Sequence, residues 1–131
     1  MTEETRGKWL KLALFAAGAV FLFGLYPLTL AWPSGWIWHD PALGASPYLQ
    51  MIVGIYAVLG VFLIIASRDP ASHASLIWFA IWVNLVHGGI MAVQSFLPVH
   101  RFGHLCGDVP ALLLVSAVLA WLMPRRPAPS A

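Results

Sequence analysis

The sequence predicts an all-α membrane protein, a single-domain antiparallel bundle of four transmembrane helices. Three observations carry that expectation. Sixty per cent of the 131 residues are hydrophobic and 9% are charged, with a mean hydropathy of +0.82, whereas soluble chains average about 25% charged residues. Four apolar runs stand out, Leu12–Leu30, Leu49–Ser67, Leu76–Pro98 and Leu105–Met123. At ~1.5 Å per residue, runs of roughly 19 or more residues match a ~30 Å hydrocarbon core. Basic residues alternate with those runs. Arg6, Lys8 and Lys11 precede the first, Arg68 separates the second from the third, and Arg125 and Arg126 follow the fourth. Arg101 alone falls in a loop of the other parity. The positive-inside rule then places both termini in the cytoplasm.

The net charge of +2 implies no nucleic-acid partner, because orientation and the anionic inner leaflet account for it. The partner is the lipid bilayer. Cys106 is the single cysteine, which excludes an internal disulfide and a thiolate metal cluster.

Helix one is expected over about 9–32, after a polar, frayed start. Its apolar core exceeds the ~7–15 residues of a signal peptide, so it is expected to be retained. Gly18 and Gly24, with Ala16, Ala17 and Ala19, offer close-packing surface, and Pro27 should kink the outer end. The Trp32, Trp36 and Trp38 loop reads as an interfacial belt, with a lid over a cavity as the alternative. Helix two, about 47–67, carries Gln50, Gly54, Tyr56 and Gly60. Tyr56 lies near the bilayer centre, where its hydroxyl needs a partner. The short turn with Asp69-Pro70 makes helices two and three antiparallel neighbours, with Ser72 or Ser75 as cap and His73 solvated.

Helix three, about 75–98, holds most of the polar chemistry. At ~100° per residue, Asn84, His87, Met91 and Gln94 fall within about 80° of one face, opposite Trp78, Trp82 and Phe96. Helix four, about 102–123, has two readings. Pro110 suits a first turn, which makes Asp108 the N-cap. Alternatively the helix begins near Arg101, bends at Pro110, and stacks His104 on Asp108 at i,i+4.

Tyr56, Asn84, His87, Met91, Gln94 and Asp108 form the candidate ligand-binding set. An ionisable group such as His87 near the midplane marks a functional site by default; the bland alternative is a neutral imidazole bonded to Tyr56, Asn84 or a backbone carbonyl. Asp108 is a helix cap, or a carboxylate paired with His104 or Arg101; the functional alternative is a proton-titrating or ligand-binding carboxylate with His104 as its partner. His39, Asp40, His100, His104, Asp108 and Met91 are all placed in the outer half, and a metal held by His87, His104 and Asp108 is a further possibility, with copper or zinc as the suited ions. No fixed-spacing metal motif, nucleophile elbow, phosphate loop or paired catalytic carboxylate is present. Facing histidines for a bis-histidine haem are also absent.

Four segments bear a family resemblance. Tyr56-Ala-Val-Leu-Gly60, Asp69-Pro70-Ala-Ser-His73-Ala-Ser-Leu-Ile77, His87-Gly-Gly-Ile-Met91-Ala-Val-Gln94 and Gly103-His104-Leu-Cys-Gly107-Asp108-Val-Pro resemble an uncharacterised family of small bacterial membrane proteins, a domain of unknown function. The resemblance runs from about Tyr48 to Leu122, and its four-helix plan is similar to that of the DoxX-like group. Asn84 and Cys106 depart from the pattern, which carries small or aliphatic residues there. The resemblance implies fold and bacterial location but no activity or cofactor; DoxX-like relatives include subunits tied to quinone-linked oxidation. The expected function is a non-enzymatic accessory subunit or binder of a lipophilic small molecule in the bacterial cytoplasmic membrane. Rival expectations are a redox protein handling copper, zinc or a tetrapyrrole, and a pure scaffold within a larger membrane complex.

Overall fold

The computed structural model describes residues 1–31, 39–40, 44–45, 47–96 and 102–124. Apart from a two-residue antiparallel pairing of His39–Asp40 with Gly44–Ala45, these form helices. Helix α1 is Glu3–Ala31, α2 Pro47–Ala66, α3 Ala74–Gln94 and α4 Asp108–Leu122. The first three are long and apolar enough to cross a membrane, while α4 has 15 residues. At ~1.5 Å per residue that is about 22 Å, short of a full hydrocarbon core. Consecutive helices pack against each other and α4 closes back onto α1.

Helix α1 starts earlier than its hydropathy suggests. Residues 3–8 are helical rather than frayed, because Thr2 Oγ1 accepts the Thr5 N–H at 3.3 Å and Glu3 and Glu4 occupy the first turn. Acidic side chains there meet the positive end of the helix dipole. Glu3 pairs with Arg6 at 3.3 Å and Glu4 with Lys8 at 2.6 Å. The 29 residues reach ~44 Å, so the charged turns stand clear of a ~30 Å core.

Further along, the expected disturbance from Pro27 is displaced upstream. Val20–Gly24 is a π-helical stretch in which the Leu25 N–H bonds to the Val20 carbonyl. A proline ring crowds the carbonyl four residues before it, here Phe23, and leaves it without a donor. The wider turn moves that carbonyl aside, and α-helix resumes to Ala31.

Helices α1 and α2 cross at Gly18 and Gly60. A Cβ on Gly18 would lie 2.7 Å from the Gly60 carbonyl oxygen, and one on Gly60 would lie 2.6 Å from that of Gly18. Only two glycines permit backbones this close. Around the crossing, Leu14, Leu63, Ala66, Ile77 and Ala80 are completely buried.

Between α2 and α3, Ser72 does not cap α3. Its hydroxyl donates to Asp69 Oδ2, and His73 stands at the cap position without a side-chain bond. Helices α3 and α4 meet where Gly88 faces Leu112 and Leu113, and Ser116 Oγ donates across to the Ile81 carbonyl at 2.9 Å. The start of α4 takes a part from each sequence reading. Pro110 falls in the first turn, as the first expects, though the cap is Gly107 rather than Asp108, and His104 pairs with Asp108 at i,i+4, as the second expects. Gly107 is the N-cap, Asp108 opens the helix, and a 3₁₀ turn, Phe102–Leu105, precedes it. Pro110 therefore sits in the first turn, where no intrahelical N–H is needed.

Outside, Phe15, Phe23, Ile55, Phe62, Phe79, Val93 and Trp121 are exposed, as are Trp78, Trp82 and Phe96 on the face opposite the polar stripe. An apolar surface around a core that holds the polar side chains suits a bilayer as solvent.

Candidate functional site

The four helices line a partly open cavity of about 130 Å³. Its walls come from every helix. Val20 and Phe21 of the π stretch, then Leu25, Leu28 and Thr29, line it from α1; Leu49, Ile52, Val53 and Tyr56 line it from α2. Helix α3 adds His87 and Met91, and α4 adds Asp108, Ala111, Leu112 and Val115. The spacings follow the helical period, since three and four residues separate side chains on one face.

Polar groups meet in two pairs. Tyr56 Oη lies 2.9 Å from His87 Nδ1. A phenol is the stronger acid of the two neutral groups, so the hydroxyl donates and the imidazole proton resides on Nε2. The Phe21 ring meets Tyr56 edge-on, with centroids 4.9 Å apart at 83°, which fixes the phenol from the α1 side. Across the cavity, His104 Nδ1–H donates to Asp108 Oδ2 at 2.9 Å, and Asp108 Oδ1 accepts the Val109 N–H at 3.0 Å. Both members of this second pair are buried, at 4% and 3% exposure. Each carboxylate oxygen keeps lone-pair capacity beyond the bond it already accepts. Thr29 is spent locally, its hydroxyl donating to the Tyr26 carbonyl at 2.7 Å.

Of the six candidate binding residues, Tyr56, His87, Met91 and Asp108 line the cavity. Asn84 and Gln94 do not. Asn84 is fully buried and its Nδ2 donates to the Ala80 carbonyl at 2.7 Å, while Oδ1 has no partner among the described residues. Gln94 is the last residue of α3 and is exposed. It lies at the edge of the stripe and at the end of the helix, from which a long polar side chain can reach water. Buried in its place is Ser95, whose hydroxyl donates to the Met91 carbonyl at 2.8 Å.

His104 supports the site through Asp108 without lining the cavity. Among the described residues no three His, Cys, Asp or Glu side chains are grouped to hold a metal ion. His87 and His104 instead engage separate partners, a phenol and a carboxylate. The side chains of His39 and Asp40, the tryptophan loop, His100, Arg101, Arg125 and Arg126 lie outside the described residues.

The sequence reading assigned no wall to α1, yet α1 supplies five lining positions. Its only advance signals were Gly24 and Pro27, which announce an irregular helix but not the direction it faces. Ser116 carries a weaker signal of the same kind, since a lone hydroxyl in an apolar run has to bond to something.

No curated protein and no solved structure matches the chain. A family model does, over residues 4–127, so that the match includes every residue of the cavity and both supporting pairs. The chain belongs to the family of unknown function DUF6632.

Proposed function

We propose that this protein is a four-span protein of the bacterial cytoplasmic membrane, with both termini cytoplasmic, which binds a lipophilic small molecule and catalyses no reaction. The observation that carries the reading is the cavity itself, apolar over nearly all its wall and equipped with His87 and Asp108, each already oriented by a partner. Helix association alone is served by small residues and shape. An imidazole and a carboxylate brought to the same cavity at membrane depth are costly unless something uses them. In this reading α4 is the fourth span, its outer end completed by the 3₁₀ turn and its polar start covered by protein, an arrangement that membranes tolerate where irregular backbone is shielded from lipid. The DoxX-like plan and a role as accessory subunit belong to the same proposal.

His87→Phe tests it. The substitution keeps a planar ring and removes both nitrogens. Mass spectrometry and metal analysis of gently purified wild type and variant are run beside a melting curve. A small molecule lost from the variant while the helical fold persists supports binding. An unchanged bound inventory in a destabilised variant favours the scaffold, and a stoichiometric metal lost from the variant favours the metal-handling reading. Topology is tested separately in a Cys106→Ser background: single cysteines at positions 4 and 128 should resist outside labelling in intact spheroplasts, and labelling at either refutes the orientation.

A further inference from the structure

The cavity is too small for a whole membrane lipid. At about 130 Å³ it is comparable to an engineered cavity of ~150 Å³ that takes a benzene ring. A larger lipophilic ligand must therefore leave most of itself elsewhere, and a neighbouring hollow shares part of the cavity's lining. This apolar hollow, about 280 Å³, runs along the seam of α1 and α4. Its floor on α1 is made small by Ala13, Ala16 and Ala17, facing Leu114 and Val118 on α4. Ala16 and Leu114 are exposed, so the hollow opens sideways, toward the bilayer in the four-span reading.

Cavity and hollow share three residues, Val20, Phe21 and Val115. Two of the three belong to the π stretch of α1. The shared wall is thus built by the one irregular turn within this long helix, and Phe21 also holds Tyr56 edge-on. From Ala13 to Phe21 the hollow follows about 12 Å of helix axis.

We propose that the occupant is a single-chain amphiphile with a neutral hydroxyl head, entering laterally between α1 and α4. Its head rests in the cavity, and its tail lies in the hollow. This rests on the binding function proposed above and names its ligand class. The head chemistry follows from the two polar groups. A hydroxyl donates to a free lone pair of Asp108 and accepts from the Nε2–H that the Tyr56 bond leaves on His87. A carboxylate head would set like charges together in a low-dielectric site, and a purely apolar head would leave both groups unanswered. The tail chemistry follows from the hollow, which presents only hydrocarbon.

The test uses the full chain in phosphatidylcholine nanodiscs and dodecanol carrying a terminal diazirine. Photolabelled peptides are mapped by mass spectrometry, with 1-dodecanol, dodecanoic acid and dodecane as competitors. Expected are labels concentrated on 13–20 and 114–119, suppressed severalfold by dodecanol but not by equal amounts of the acid or alkane. Ala16→Phe fills the hollow from its exposed side without entering the core, and should reduce this labelling about tenfold. Labels scattered over the Trp78, Trp82 and Phe96 face, or indifferent to Ala16→Phe, overturn lateral entry. Equal competition by the acid overturns the hydroxyl head. If His87→Phe loses a co-purifying molecule while Ala16→Phe keeps it, the tail site fails and the cavity reading stands. If His87→Phe changes neither labelling nor inventory, the cavity reading falls with it.

Discussion

Two seams hold this bundle by opposite means. Helices α1 and α2 meet through shape: glycine faces glycine, and each backbone lies where a Cβ of the other would be. Helices α3 and α4 meet with a polar bond across the seam, Ser116 reaching the Ile81 carbonyl, while the His104–Asp108 pair is local to the head of α4. Gly88 is present here too, but its missing Cβ would meet Leu112 at 3.3 Å, side chain rather than backbone. Lipid tails are as apolar as the helix faces they compete with, so association needs either close backbone packing or hydrogen bonds. One half of the molecule uses the first and the other half the second, and the cavity lies where the two halves face each other.

The largest effect expected from this contrast is at the crossing of α1 and α2. Gly60→Ala places a methyl 2.6 Å from one backbone atom and 2.8 Å from another. Neither can rotate away, so the helices must separate, at about 3 kcal/mol, the upper range for overpacking. Gly54→Ala is the control, since a Cβ there meets nothing within 4 Å, and removing a helical glycine should stabilise by about 0.5 kcal/mol. Melting curves in one detergent compare the two. Equal melting temperatures for both variants would show that the crossing is not tight.

A smaller effect belongs to the polar seam. Ser116→Ala removes the bond to Ile81 but strands no donor, and interhelical bonds in membranes average about 0.6 kcal/mol. We expect the α3–α4 pairing to survive with a modest loss in melting temperature. A loss matching that of Gly60→Ala would mean that this single hydroxyl carries the seam, and the contrast between the halves would disappear.

These magnitudes also explain which parts of the structure were legible in advance. Periodicity reports the angle around a helix, and on that basis it sets His87 and Met91 on the inner face and Trp78 and Trp82 outside. It does not report depth along the helix or which neighbour is met. Gln94 shares the stripe's arc yet is exposed at the helix end, whereas Asn84 is sealed three residues before His87 without touching the cavity. Hydropathy likewise missed the first turns of α1, because their stability comes from a cap and ion pairs rather than burial. The α1 wall was illegible for a different reason. Phe21, Leu25, Leu28 and Thr29 share one face by ordinary spacing, but apolar residues surround this helix, so periodicity does not tell which face meets a cavity.

The smallest expected effect lies outside both seams, in the turn that joins them. Asp69 is fully exposed, and the Ser72 hydroxyl donating to its carboxylate holds its pKa below the usual carboxylate range, with the Ser72 and Ala71 N–H groups and His73 acting in the same direction. A depressed carboxyl pKa stabilises the fold above the unfolded value, near 3.9, and that contribution is lost as pH falls through the lower folded value. Ser72→Ala should therefore raise the Asp69 titration toward ~3.9, read by carboxyl NMR shifts, and lower the melting temperature slightly at pH 7. The difference between wild type and variant should close on acidification below the folded value, where both carboxyls are protonated. A gap that widened under acid would show that Ser72 stabilises the turn by some route other than Asp69. Because the turn is in water, neither outcome should alter the loss at Gly60 or at Ser116, which makes this variant the reference against which effects inside the two seams are measured.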